Sequence, residues 1–411
     1  MRNSNPFELN FNKSHMLATA CAIFFAMRPQ FANLHPTENH DKMLRKLLKH
    51  IILLVNIVFV ALLFVSGIAR WLNPAEHTAI ALVGLFFPVF MLINIAFAIW
   101  WAVCRKWLFL LPLAAVALFA HRYFDFSSGS GGAAPNGRQI RILSYNAHNF
   151  GLHARPNHVK MMKEMTEFIG CENLDIACFQ EYSNGDKDLP VHQQLKNSFK
   201  YSHLQIRKSP YAYGDLRDGL ATYSNYPIVG CNSVPSDGET DNIIIYTDIA
   251  VGADTLRVFN CHLQSYKFSA SEYDFIAKVN SLNSDVYDKT KQGENREGLL
   301  SVYRRMRKAY EWRVKQAATL ERLIGESPYP VVVCGDFNDT QSSYVYRLVS
   351  RGLHDSQRVM TTGWRNTYRR FFPGIRIDYI LYNGPLKCVS CRVPQVDFSD
   401  HRPVVGEYQI E

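Results

Sequence analysis

Asn146, Glu181, His262, Asp336, Asn338, Asp378, Asp400 and His401 each fall at or just past the end of a short apolar run in this 411-residue chain. Carboxylates are costly to bury unless they are paired or hold a cation, so several gathered along one edge of a sheet point to a cation site. Taken singly, each reads as well as a loop carboxylate or a turn-capping Asn; the shared placement is what makes them one expected site. The carboxylate and amide donors offer oxygen, which suits a hard divalent ion such as Mg2+ or Mn2+ and disfavours soft-metal chemistry.

The runs that would carry these residues are 140–145, 176–179, 220–223, 243–249, 256–261, 331–334, 377–381 and 404–408. Each is short, rich in β-branched and aromatic residues and bounded by turn formers, while the segments 159–169 and 303–324 have helical spacing. The alternation predicts a strand-rich α/β domain over residues 138–411. The segment 266–326 reads as a long insertion with Arg304, Arg305, Arg307, Lys308, Arg313 and Lys315 clustered on a helix. A solvated helix face is the plain reading of that cluster; the sharper one is a basic surface for anionic headgroups or a substrate phosphate, with Arg304 and Arg305 as substrate contacts.

Hydrophobic residues make up 47% of the chain and charged ones 20%, which excludes wholesale disorder. Residues 1–137 carry 11 basic and 5 acidic side chains, so +6 of the formal +9 belongs there and only +3 to the rest. A polyanion-binding domain has a stronger basic excess than that. The nine cysteines contain no zinc-type double pair, and Cys388 with Cys391 reads as two partly buried strand residues.

The N-terminal third predicts a membrane anchor. Residues 50–69 and 77–104 lack Asp, Glu, Lys and Arg, and each is long enough to cross a bilayer, giving helices at about 50–69 and 78–103. A third, 107–124, needs its flanking Arg105, Lys106 and Arg122 to snorkel to the headgroups. Lys42, Arg45, Lys46 and Lys49 precede the first helix, and Arg105 and Lys106 separate the second from the third, so the positive-inside rule places both groups in the cytoplasm. Three crossings then leave the C-terminal domain on the outer, periplasmic face of a cytoplasmic membrane; without the third crossing it stays inside. Residues 1–42 read as an extension upstream of a true start at Met43, with a cleaved signal peptide as the competing reading. Residues 43–126 form the anchor, and 127–137 a Gly/Ser linker.

In chain order the motifs are Ser144-Tyr145-Asn146, Phe179-Gln180-Glu181, Asn260-Cys261-His262-Leu263, Gly335-Asp336-Phe337-Asn338, Arg376-Ile377-Asp378-Tyr379 and Ser399-Asp400-His401-Arg402-Pro403. Together they resemble the endonuclease/exonuclease/phosphatase superfamily, which includes pancreatic-type deoxyribonucleases, apurinic endonucleases, neutral sphingomyelinases and inositol polyphosphate 5-phosphatases. The resemblance covers nearly all of residues 140–411. It implies a four-layer α/β sandwich with two mixed β-sheets, here preceded by an all-α transmembrane anchor of about three helices.

The resemblance also implies roles. Glu181 would be the principal ligand of Mg2+ or Mn2+, with Asp400 and Asn146 beside it; Asp336 would activate the attacking water and Asn338 would donate to the phosphate or nucleophile. His401, oriented by Asp378, would stabilise charge on the phosphoryl oxygens, His262 would act on the leaving group, and Asn260 would touch substrate. The expected activity is metal-dependent phosphoester hydrolysis, nuclease-like first and phospholipid-directed second, with nucleic acid or phospholipid as partner and no protein partner expected. A binding or scaffold protein that has lost catalysis is the reading from another class. Asp336→Asn separates them, since only an enzyme would lose its function. His148 reads as a residue at the mouth with no chemical task.

Overall fold

Apolar residues follow a short basic stretch near the start of the described chain, and over both the chain is helical: α1 spans Glu38–Ile68, about 46 Å at 1.5 Å per residue. The computed structural model describes residues 38–120, 138–151, 158–183, 190–208, 217–234, 243–280, 292–359, 366–369 and 375–410. Residues 1–37 of the extension expected over 1–42, the linker 127–137 and the expected end of the third helix at 121–124 lie outside the described residues. The chain divides into two units, Met1–Ile57 and Val58–Glu411. In the first, the described residues are the opening turns of α1, with Lys42, Arg45, Lys46 and Lys49 exposed.

The second unit begins with the rest of α1, then α2 (Thr78–Leu85), α3 (Phe87–Val103) and α4 (Leu110–Ala120). The unbroken helix expected over 78–103 is two helices bent by 57°. Pro88 in the first turn of α3 has no N–H to continue an α-helical ladder, and Phe86 leaves helical geometry with φ −90° and ψ 8°. Among the described residues, one helix, Lys42–Trp71, is long and apolar enough to cross a membrane; α2 with α3 makes a second only if the bent pair counts as one span. The third expected crossing is a shorter apolar helix, Trp107–Phe119. Val60, Leu63, Phe87, Met91, Ala115 and Phe119 pack α1, α3 and α4 together, and the Asn94 amide donates to the carbonyls of Phe59 and Phe90.

From residue 138 onward the elements are β1 (Arg138–Asn146), α5 (His158–Cys171), β2 (Ile176–Gln180), α6 (Pro190–Ser198), β3 (Tyr201–Lys208), β4 (Arg217–Ser224), β5 (Ile228–Val234), β6 (Ile244–Val251), β7 (Asp254–His262), α7 (Ala270–Asn280), α8 (Gln292–Gly325) and β8 (Val331–Asp336). They continue with α9 (Tyr344–Val349), β9 (His354–Asp355), α10 (Ser356–Val359), β10 (Asp378–Tyr382), β11 (Leu386–Arg392) and β12 (Val404–Ile410). Two six-stranded sheets result, in the orders β11-β12-β1-β2-β4-β3 and β5-β6-β7-β8-β10-β9. Both are mixed: β1 runs parallel to β2 and β7 parallel to β8, while the other pairs are antiparallel.

Alternate residues of each central strand divide between two cores. Ile140, Ile142, Ile176 and Cys178 meet Leu256, Val258, Val332, Cys334 and Ile380 between the sheets. The opposite faces carry Leu143, Tyr145 and Phe179 against α5 and α6, and Phe259, Val331 and Val333 against α8 and α9. This is the four-layer sandwich that the motifs imply. The strands without an expected run, β3, β5, β9 and β11, are the four sheet edges. An edge strand with one wet face needs no continuous apolar run, and β5 and β11 accordingly mix exposed with buried residues.

Among the described residues, the N-terminal helices meet the sandwich at the turn after α1 and at α2. The turn after α1 offers the Arg70 carbonyl to Arg347 Nε of α9 at 2.9 Å, and the Arg347 guanidinium lies 4.5 Å from the centre of the Trp71 ring.

Candidate active site

The same alternation that builds the central core delivers the polar residues. On β1 the inward row is Ile140, Ile142, Ser144 and Asn146; on β7 it is Leu256, Val258, Asn260 and His262; on β8 it is Val332, Cys334 and Asp336. β10 runs the opposite way, so Asp378, its first residue, is the end of its row at this edge and pairs in register with Asp336. His262 pairs with Asp336 from the other side. Gly335 is required for the close approach of β7 to β8, since a Cβ there would lie 2.2 Å from the Cys261 carbonyl oxygen.

Just past the strands the backbone turns sharply. Glu181 and Asn338 have φ of 47° and 51°, and His148, Asn149 and Phe150 have φ of 44°, 52° and 54°, all in the left-handed region that non-glycine residues rarely adopt. The turn at residues 148–150 brings His148 back over Glu181, with Nδ1 3.2 Å from Glu181 Oε2 and 3.5 Å from Asp400 Oδ1.

Two carboxylates form the centre. The Asn146 amide donates to Glu181 Oε1 at 3.2 Å and to Asp336 Oδ2 at 3.0 Å, and His262 Nε2 lies 3.8 Å and 3.6 Å from the same two oxygens. His401 Nε2 is 3.7 Å from Asp336 Oδ2, while its Nδ1 donates to Asp378 at 2.9 Å. Asp378 is fully buried, and its own backbone N–H is satisfied by Thr367 Oγ1. Asn338 orients Asp336 through its backbone N–H at 2.8 Å and spends its amide on the Leu263 carbonyl. Ser399 donates to the Asn146 carbonyl and accepts from the His401 N–H, joining the first and last motifs.

Burial, followed by the neighbouring charge of Asp378, pushes the Asp336 carboxyl up to about 7. Burial acts on His401 in the opposite sense, but Asp378 and Asp336 outweigh it and hold the imidazole well above its ordinary value. His262 is pulled down to about 4, by burial first. Glu181, a quarter exposed, is also penalised by burial; the hydrogen bond and charge of His148, with His262 and His401 behind it, nevertheless hold it well below the carboxylate range.

The structure therefore brings together Asn146, Glu181, His262, Asp336, Asn338, Asp378, Asp400 and His401. Asn260 is a correction. It is fully buried, donates to the carbonyls of Phe179 and Ala221 and accepts from the Gln180 amide at 2.8 Å, so it ties the two sheets together and presents nothing to a substrate. Arg304 and Arg305 find their partners inside the helical insertion, the Leu300 carbonyl and Glu272, and no contact joins them to the site among the described residues. Arg313 does not belong to the basic surface: it is fully buried against Asp339. Sequence reasoning undervalued His148, whose place two residues after Asn146 was the available signal. Cys388 and Cys391 form no disulfide.

Residues 143–401 match the sequence pattern of the Endonuclease/Exonuclease/phosphatase family, and residues 49–123 match a domain of unknown function (DUF8431). No curated protein matches the chain. Among solved structures, an endonuclease/exonuclease/phosphatase from Beutenbergia cavernae DSM 12333 is 17% identical over 66% of this chain and 72% of its own, with a TM-score of 0.46. The human Nocturnin catalytic domain with bound sulfate is 17% identical over 66% and 95%, with a TM-score of 0.46. Sphingomyelinase C from Streptomyces griseocarneus is 16% identical over 66% and 99%, with a TM-score of 0.44. The family match takes in more than half of the chain and both ends of the polar cluster, and the protein belongs to the endonuclease/exonuclease/phosphatase family of phosphoester hydrolases.

Proposed function

We propose that the protein is a membrane-anchored, divalent-cation-dependent hydrolase of phosphodiester bonds. One observation carries this reading: Glu181 and Asp336 face each other across the Asn146 amide and His262, beside a His401–Asp378 couple.

The donor set fits a hard cation. One ligand atom from each of Asp336, Asp378 and His401 lies within 4.8 Å of the others, but both Asp378 oxygens already receive His401 Nδ1. Glu181 and Asn146 are the better holders, with Asp400 reached through His148 and Asp336 left free to act as base; turning the Asn146 amide by a half rotation would present its oxygen. When bound, Mg2+ or Mn2+ supplies neutralisation of the phosphoryl oxygens and polarises them.

The chain's own residues do the rest. Asp336, poised near neutral pH, accepts the proton of the attacking water, and the Asn338 N–H fixes the carboxylate that does so. His401 stays cationic because Asp378 sits on its other nitrogen, and it opposes the charge that grows on the phosphoryl group. His262 is neutral at pH 7, so it contributes a hydrogen bond to the leaving group rather than a net charge.

The anchor rests on Lys42–Trp71, only 28% of whose most apolar stretch is buried, unlike the core helix of a soluble domain. Lys42, Arg45, Lys46 and Lys49 precede the apolar stretch of α1, which favours the cytoplasm for that end, and a single crossing by α1 would then leave the sandwich on the outer face. Protease added to spheroplasts should cleave the sandwich, and cleavage only in inverted vesicles would place it inside.

The weak basic excess gives a nucleic acid little electrostatic help, so a phospholipid phosphodiester is the second reading, favoured by the anchor contact at Arg347. The test is the full chain in nanodiscs with Mg2+ or Mn2+, given single- and double-stranded DNA, RNA, sphingomyelin and phosphoinositides, with a chelator and Asp336→Asn as controls. Metal-dependent turnover confined to nucleic acid makes it an anchored nuclease, and turnover confined to lipid favours the second reading. Activity that survives chelation or Asp336→Asn refutes the mechanism.

A further inference from the structure

We propose that the membrane anchor is a positioning element of the active site, because it covers the buried ion pair that braces the catalytic loops. This deepens the reading of the site as a phosphoester hydrolase and rests on it.

The brace is Arg313, about two-thirds of the way along α8 and with no exposed side-chain surface. Its Nε donates to the Gln264 carbonyl at 2.8 Å, its guanidinium lies 4.7 Å and 5.2 Å from the Tyr266 and Tyr310 ring centres, and Nη1 is 3.4 Å from Asp339 Oδ2. Gln264 follows His262 and Leu263; Asp339 follows Asp336, Phe337 and Asn338. The two loops are also tied directly, since the Leu263 N–H donates to the Asp336 carbonyl and the Asn338 amide to the Leu263 carbonyl. Arg313 therefore fixes His262 and Asp336 relative to each other without touching either.

The far wall of this brace comes from the anchor. Asp339, Tyr310 and Tyr344 face Ala69, Pro74 and Gly84 across a cavity of only about 10 Å³, room for no more than a single water. Gly84 lets α2 lie close against the turn after α1, which forms the same wall: a Cβ there would be 2.8 Å from the Ala69 Cβ. Arg347 clamps the edge through the Arg70 carbonyl and the Trp71 ring, as described above. If α2 lifted away, water would reach Asp339 and Arg313, and a pair whose strength depends on burial would loosen together with the loop that carries Asp336 and Asn338. Misplacement of a reacting group by ~1 Å is enough to cost about a hundredfold in rate.

The test uses the full chain in nanodiscs, as wild type, Gly84→Leu, Arg347→Ala and Arg347→Lys, with Arg351→Ala as a control because its partner is Glu321, at 2.7 Å, rather than the anchor. Two quantities are read: kcat and KM with Mg2+ on bis(p-nitrophenyl) phosphate, which needs no membrane, and backbone hydrogen exchange over residues 336–344. Gly84→Leu and Arg347→Ala should lower kcat by about tenfold with KM nearly unchanged, and speed exchange in that loop by a similar factor. Arg347→Lys, which keeps the cation over Trp71, should recover part of both losses, and Arg351→Ala should change neither. A fall in thermal midpoint without these changes, or unchanged exchange in both variants, overturns the proposal. A wild type that turns over no substrate refutes the hydrolase reading, while the exchange comparison still decides this one.

Discussion

Replacing Asp378 by Asn tests the electrostatics of the site most directly, because it removes one charge and leaves the shape. The Asn oxygen can still accept from His401 Nδ1, so the ring should keep its place. The Asp378 carboxylate lies 2.9 Å from that nitrogen, which at an effective dielectric of about 20 corresponds to at most roughly 6 kcal/mol favouring the imidazolium. Without it, burial acts on His401 opposed by Asp336 and, more weakly, by Asp400, and the imidazole should titrate in or below the ordinary histidine range. Asp336 responds too, since Asp378 is its in-register neighbour and helps hold it at about 7. The prediction concerns both limbs of the pH profile of kcat/KM on a soluble phosphodiester with saturating Mg2+. The acid limb, Asp336 losing its proton, and the alkaline limb, His401 losing its proton, should both move to lower pH, and the maximum should fall about 10²- to 10⁴-fold. Adding Asp378→Asn to His401→Asn should then cost little further, because the two act as a unit. An alkaline limb that stays in place while the rate falls would refute the argument.

Asp336→Asn should abolish turnover yet raise stability without added metal: a folded value of about 7 against 3.8 means the ionised carboxylate costs up to about 4 kcal/mol, a loss that sets in as pH rises from 3.8 through 7. The thermal midpoint of the variant should therefore exceed that of the wild type at pH 8 and approach it at pH 4; a lower midpoint at pH 8 contradicts this. His262, depressed to about 4 from 6.5, contributes stability that is full above pH 6.5 and disappears as pH falls through 4, about 3 kcal/mol in all. His262→Gln should flatten the denaturant midpoint over that window. Asn260→Ala should cost about 2–4 kcal/mol in chemical unfolding with KM little changed, and a loss below about 0.5 kcal/mol would remove its role between the sheets. Glu181→Gln should weaken Mg2+ binding at least about tenfold by calorimetry, and unaltered affinity would exclude Glu181 as a ligand.

The central strands and their chemistry were legible in the sequence for one reason. Strands flanked by helices on one side and a second sheet on the other are apolar on both faces, so they appear as runs, and the first polar residue that interrupts the inward row marks the rim. Asp336 and Asp378 follow that rule, and Asn146 stands one step beyond Ser144, the first polar residue of its row. Asn260 obeys it as well, but one step deeper, where an amide serves the sheet-to-sheet bond rather than the surface. β3 and β11 stayed hidden because edges tolerate polar faces. The bend at Phe86 was hidden inside an apolar stretch, since hydropathy cannot register the hydrogen bond that Pro88 fails to make. Arg313 was misread for a related reason: on a helix crowded with Arg304, Arg305, Arg307 and Lys308, composition alone cannot show that one cation points inward to Asp339.

The strand order of the first sheet also governs when the active site can exist during synthesis. β12, residues 404–410, pairs antiparallel with β1, residues 138–144, so the first strand made waits for the last. Asp400 and His401 arrive with that final strand, and Ser399 ties them back to Asn146. Until residues 399–410 have emerged and reached the first sheet, β1 lacks one neighbour and the cluster lacks its cationic histidine. A hydrolase with this connectivity is silent until that strand is in place, and its activity begins only with closure of the longest-range contact in the sheet.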